Sequence, residues 1–487
     1  MADWSDPRLK MFALQRFGLG PKPGQGGASG DVRERLLAEI RSDGAQQPRV
    51  SFSGAAPIGR ALYAFEDEER AAREAKRVAV QQGGGQPAMG QGVQVAAAPP
   101  MPGQPQGQMQ APAQPVPQFP QAIYREEAVA RVQCALEADT GFAERLVQFW
   151  SNHFCVSVAK GNFVRAMAGA FEREAIRPNI FGRFEDLLIA VESHPAMLNF
   201  LDNQLSIGPD SRAGKRRGRG LNENLAREIM ELHTLGVSGG YTQADVTSLA
   251  RIITGWTVVG RDARLGFPGS FAFNPGLHDP GGQRLLGKVY RQEGKEKGMA
   301  ALADLARHPS TASFIARKLA RHFVADEPPP ALVAELARTF RDTGGDLAVL
   351  SRTLVTSELA VTAPATKLRT PQEFLVASFR ALGRKPDFGQ VAGPLGVMGQ
   401  PLWQPSGPDG YPDTNAAWAT PEGIKTRIDV AAQLGRQAAG SVADPRALVE
   451  EVLGPLASPQ TRQAVARAES KPQALALLLM SPEFQRR

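Results

Sequence analysis

Apolar positions recur at three- and four-residue intervals along most of the chain, and strict alternation is rare. That period marks helices with one buried stripe, so the pattern predicts an all-α fold: a mostly helical, multi-helix single unit with long irregular loops. Residues 31–40 direct Val32, Leu36, Leu37 and Ile40 inward. Residues 61–80, 122–139, 141–155, 163–173, 184–191, 300–359 and 370–382 also read as helix, as does the C-terminus. Two stretches break the pattern. Residues 260–287 are irregular and aromatic, with His278-Asp279 between Pro and Gly. Residues 400–421 carry Trp403, Tyr411 and Trp418 among Pro and Gly, a composition of loops that cover a cleft.

The densest chemistry falls in residues 221–256, two helical segments joined by a glycine turn. At about 100° per residue, Asn224, Glu228 and Glu231 share one stripe beside an apolar face of Leu225, Ile229 and Leu232. A helix apolar over most of its circumference is expected to be buried, and buried carboxylates must be paired, hydrogen-bonded or metal-bound. The stripe has two readings. In one it serves a divalent metal or acid–base chemistry, with Glu228, Glu231 and His278 as candidate ligands. In the other it is a structural network with Arg227 or Arg251. His233 projects opposite Glu231, and Glu-x-x-Glu replaces the Glu-x-x-His of di-metal bundles, so His233 does not complete a metal set on a regular helix.

Gly236-Val237-Ser238-Gly239-Gly240 spells G-x-S-x-G, but a helix precedes it where a nucleophile elbow needs a strand. Gly236 instead reads as a helix stop, and Thr242 with Asp245 as the capping box of the next helix. His278-Asp279 lies on a loop, the better place for a ligand or acid–base pair, with an ordinary turn as the alternative. His153, on the apolar side of its helix, reads as a hydrogen-bonded core histidine or as a further member of the site, with Asn152 beside it.

Composition changes the picture little. The 487 residues are 42% hydrophobic, with net charge +7 and a pI near 9.5. The basic run Lys215-Arg216-Arg217-Gly218-Arg219 lacks interleaved aromatics, so nucleic-acid binding is disfavoured and a solvated loop preferred. Cys134 and Cys155 form neither a disulfide framework nor a cysteine zinc site. Residues 81–121 are rich in Gln, Gly, Pro, Ala and Met and are expected to be a disordered insertion. The organisation expected is an N-terminal helical part, 1–80, that insertion, and a helical main part, 122–487, of the same unit. No apolar stretch reaches the length of a membrane span and no export signal opens the sequence, so the expectation is no membrane insertion and a cytoplasmic chain.

Several long segments in one order, RFGLG at Arg16, FWSNHF at Phe149, HPAMLNFLDN at His194, GLNENLAREIMELHTLG at Gly220, YTQADV, ARIITGW, HPSTASFIARKLARHF at His308 and the terminal SPEF, resemble the bacterial "domain of unknown function 1800" family. The resemblance implies one family-length helical unit without an established reaction. Its distinctive residues map onto Asn152, His153, His194, Asn224, Glu228, Glu231, His233, Arg251, Trp256, His278 and Asp279. It also implies a sulfatase-like exported partner, hence possible travel with that partner. Two functions follow as expectations. One is an enzyme or ligand-binding protein with Glu228, Glu231, His278 and Asp279 as catalytic groups and Asn224, Arg251, Trp256, His153 and Asn152 binding ligand. The other is a non-enzymatic accessory or scaffold protein. Glu228, Glu231 and His278-Asp279 are expected to meet in one cavity near Arg251 or Arg227.

Overall fold

The computed structural model describes residues 3–24, 31–82, 118–217 and 220–487. It is 61% helix and 4% strand, the all-α class that the periodicity predicts. Most of the insertion predicted at 81–121 lies outside the described residues, as do Gly218 and Arg219 of the basic run. Lys215 and Arg216 of that run are exposed, on the short helix Gly214–Arg217. None of the described helices is long and apolar enough to cross a membrane.

One contiguous apolar cluster runs from Ala13 near the start to Phe484 near the end, so distant parts of the chain share one core. Its axis is the helix Phe142–His153, in which Phe142, Leu146, Val147, Phe149 and Trp150 are buried together with Glu144 and Arg145. Helices start where the sequence supplies a cap. Thr242 and Asp245 close the capping box that their spacing predicts. The two His-Pro pairs are caps of a less common kind: His194 Nδ1 accepts from the Ala196 amide, and His308 Nδ1 from the Ser310 amide, with proline at the first helical position. Gly435 lets the helix Pro421–Ala438 press on the C-terminal helix Lys471–Met480; a Cβ there would lie 2.4 Å from the Pro472 carbonyl.

Two departures from the pattern matter below. Residues 260–287 are not wholly irregular: Trp256–Val258 pairs with Phe271–Phe273, and Gln283–Leu285 with Lys288–Tyr290, as small antiparallel ribbons. And the carboxylate segment is not one regular helix. The α-helix Asn224–Glu228 widens into a π-turn over Ile229–Thr234, closed by Leu235 N donating to Met230 O at 3.0 Å. Bonding over five residues places residues five apart one above the other, which brings Glu228 into the field of His233, a pairing that an ideal helix forbids.

Candidate functional site

At the C-terminal end of the helix Phe142–His153 four elements meet: that helix, the π-turn, the helix Pro309–Phe323, and the loop from Gln400 to Thr414. The loop is stitched down rather than draped. Asn152 Nδ2 donates to Tyr411 O at 2.9 Å and Tyr411 N donates to Asn152 Oδ1 at 2.8 Å. Ser157 Oγ donates to Pro405 O at 2.9 Å, and Val158 N to Trp403 O at 2.9 Å. Trp403 Nε1 reaches the buried Glu172 carboxylate at 3.3 Å. Gly410, at φ 80°, follows the helix end so closely that a Cβ would lie 2.4 Å from Asn152 O. Asn152, expected among ligand-binding residues, thus has its amide engaged in holding the loop.

His153 sits beneath this strap and is 2% exposed. Its Nε2 lies 3.1 Å from His233 O, and since a carbonyl only accepts, Nε2 carries the proton. Nδ1 is then a lone pair, and it has no partner. Burial holds the ring neutral, with its pKa well below the ordinary value, and Lys318 and His233 push the same way. His233 is anchored from the other side, its Nδ1 2.7 Å from Glu192 Oε1, with both groups essentially unexposed. Glu192 Oε2 has no hydrogen-bond partner. Glu228 stands half-buried near His233, Glu231 and Asp409, and burial raises its pKa. Glu231 is half-buried beside Tyr241.

The helix Pro309–Phe323 contributes Lys318 and His322. Burial pushes the Lys318 ammonium down to about 8 against the fields of Asp413, Cys155 and Asp409. His322 Nδ1 lies 3.0 Å from Asp413 Oδ2, and its Nε2 faces Arg145 at 3.4 Å. Because Arg145 only donates, His322 is the neutral Nδ1–H tautomer. Lys367 closes the Asp413 end, 3.1 Å from Oδ1 and 2.7 Å from its backbone carbonyl. Burial would raise the Asp413 pKa, but His322 and Lys367 together hold the carboxylate far below its usual range.

Between these groups lie two adjoining cavities that share Asn152, His322, Tyr411, Pro412 and Asp413. The inner one, of about 50 Å³, has room for a few water molecules. The outer one, about 170 Å³, is lined by His153, Lys318 and Asp409 and has room for a small organic molecule. The wall of the outer cavity therefore holds a neutral imidazole and an amine that releases its proton readily, while Glu228, whose carboxyl gains one readily, lines neither cavity.

Of the predicted site residues, Asn152, His153, Glu228 and Glu231 belong to this region. The others form a second group. Arg251 pairs with the fully buried Asp279 at 3.1 Å and with Asp210 at 3.3 Å. Asp279 also accepts from the Asp210 amide, and His278 Nδ1 donates to Thr254 O at 2.8 Å. Trp256 is a core residue, its ring against Gly298 and Phe271, and Asn224 is exposed at the helix start. The two groups have none of these partners in common. The candidate metal set of Glu228, Glu231 and His278 is not assembled: among the described residues no three His, Cys, Asp or Glu side chains are grouped to hold an ion.

Nothing in the sequence pattern singles out Lys318, His322, Asp413, Asp409 or Glu192. One signal was available, the aromatic loop at 400–421, which does cover the cleft.

The fold and site define a mostly helical protein with a sheltered polar centre where four elements meet. The chain belongs to the family described as "Protein of unknown function (DUF1800)", whose model matches residues 12–486. No curated protein and no solved structure matches it.

Proposed function

We propose that this protein binds a small polar organic molecule in the outer cavity and moves a proton to or from it. The observation that carries the reading is His153: a buried imidazole with an unpartnered Nδ1 lone pair, in the wall of a cavity that Lys318 also lines. Buried polar atoms without partners are uncommon in native proteins, and one on a residue of a cavity wall has a ready partner in a ligand donor. His153 takes the role of proton acceptor, Lys318 that of proton donor, and the Asn152–Tyr411 strap shuts out bulk water. The Glu192–His233 pair positions His153 through the His233 carbonyl. A panel of small hydroxy, carboxylic and oxo compounds, screened by thermal shift on wild type and His153→Phe, tests this. Compounds that stabilise wild type and leave the variant unmoved are expected; the same response in both proteins, or in neither, removes the reading.

A further inference from the structure

Lys318 lies one turn before His322 and lines the outer cavity with His153, Asn152, Asp409 and Asp413. Other sheltered lysines are tied down. Lys367 is held by Asp326 and Asp413, and Lys297 by the carbonyls of Asp279 and Gly281. Among the described residues no carboxylate comes within ion-pair distance of Lys318. Asp413 and Asp409 act on it only through their fields, and its Nζ stands over the Phe314 ring, 5.4 Å from the centroid. The amine is thus free to react, on an apolar floor, at the wall of a cavity that admits only a small molecule.

We propose that Lys318 is a carbonyl-reactive amine that condenses with a small aldehyde or ketone held in the outer cavity to form an imine. The proposal rests on the ligand-binding reading above and names its substrate class. The neutral amine adds its lone pair to the carbonyl carbon, and the C=O π pair moves to oxygen, which takes up a proton. The nitrogen loses a proton to His153 Nδ1, leaving a neutral carbinolamine. The imidazolium returns that proton to the hydroxyl, the carbinolamine expels water as the nitrogen lone pair forms C=N, and the protonated imine keeps the one proton that the oxygen had taken up from solvent. Amine and carbonyl give imine and water, with no change of oxidation state. The carboxylates of Asp409 and Asp413 face the positive charge of the protonated imine. The lowered pKa of Lys318 supports the step: with a value of about 8, about one molecule in ten carries the free amine at pH 7, against about one in three thousand for an ordinary lysine.

The experiment treats the full-length protein at pH 7 with a limiting amount of glycolaldehyde and sodium cyanoborohydride, which reduces any imine to a stable secondary amine, and maps it by peptide mass spectrometry. Lys318 is expected to be captured about ten-fold faster than exposed lysines such as Lys215 and Lys425, since the larger share of free amine is offset in part by restricted access. The advantage should shrink towards pH 10.5, where half of an ordinary lysine is already free amine, and His153→Phe should slow capture at Lys318 while leaving Lys215 and Lys425 unchanged. Capture at Lys318 no faster than at those two residues, in protein that melts cooperatively, overturns the proposal. If fragments still protect wild type but not His153→Phe in that case, the imine falls and the binding reading stands. If that protection is absent as well, both fall.

Discussion

His322 is the seam between two buried polar regions built on opposite terms. On its Nε2 side lies Glu373, whose oxygens are taken up by Arg487 at 2.8 and 2.9 Å and by Arg145 at 3.2 Å. A neighbouring network repeats the design: Arg177 spans Glu144 and Glu172, and Arg131 meets Glu172 at 2.6 Å. On its Nδ1 side lies the outer cavity, in whose wall His153 has an Nδ1 without a partner. Both regions bury charge or potential charge. In the first, each carboxylate is answered by guanidinium groups, and a ligand would find its oxygens already taken. In the second, bonding capacity is left over. The difference teaches where to look for function: at the polar groups that the protein leaves unsatisfied, more than at those that are merely buried.

The sharpest break of this comparison is Arg177→Met. It strands Glu144 in the core, takes one of two arginines from Glu172, and should cost about 3–5 kcal/mol, read by urea denaturation. His153→Phe, on the open side, gives up one hydrogen bond and an unpaired lone pair and should cost about 1 kcal/mol. Comparable losses in the two variants would erase the distinction drawn here.

Acid sharpens it next. Burial would raise the Glu373 pKa, but Arg145 and Arg487 outweigh burial and hold it at about 2, against an ordinary value of 4.5. The folded-state pKa is depressed, so the stabilisation is fully present above pH 4.5 and is lost as pH falls towards 2. Wild type should lose stability through that window, and Glu373→Gln, already destabilised, should lose less. Parallel stability curves below pH 4.5 would show that Glu373 does not anchor the closed side.

A smaller effect is expected from the strap. Gly410→Ala forces a Cβ onto Asn152 O and a side chain onto a positive φ, which should cost about 1–3 kcal/mol. Hydrogen exchange should rise at the Tyr411 amide and stay unchanged at buried amides such as that of Leu146. A uniform rise would mean that the strap is part of the global unfolding unit rather than a local cover.

The same contrast explains what was legible in the sequence. Helices were, because a 3.6-residue stripe of Leu, Ile and Val has one physical meaning, and so were the Thr242 cap and the covering loop. The arginine–glutamate networks were not: Glu373 and Arg487 stand 114 residues apart, and nothing local marks either as buried. The carboxylate segment failed for a different reason. An even 100° step cannot foresee a π-turn, and that turn is what brings Glu228 to His233. Lys318 was hidden by ordinary helical spacing, since an i,i+4 neighbour of Phe314 looks like any solvated lysine covering a ring.

The smallest expected effect tests the open side most directly. The Lys318 pKa is about 8 in the folded chain, against 10.5 as its ordinary value. Between those values the unfolded chain carries a proton on this residue that the folded chain has given up. Raising pH therefore favours the folded state: stability should climb from about pH 8 and level off near 10.5, whereas below pH 8 both states are protonated and the penalty of the sheltered ammonium is present in full. The size is modest because the side chain is only half-buried and solvent screens its charge. Lys318→Met removes the penalty, so it should stabilise the protein at pH 7 and lack the alkaline rise that wild type shows, with other titrating groups common to both. Measured as the difference between the two urea midpoints at each pH, the gap should narrow from pH 8 to 10.5. A gap that stays constant, or one that favours wild type at pH 7, would place the amine in ordinary solvent and return this side of His322 to the closed, structural kind.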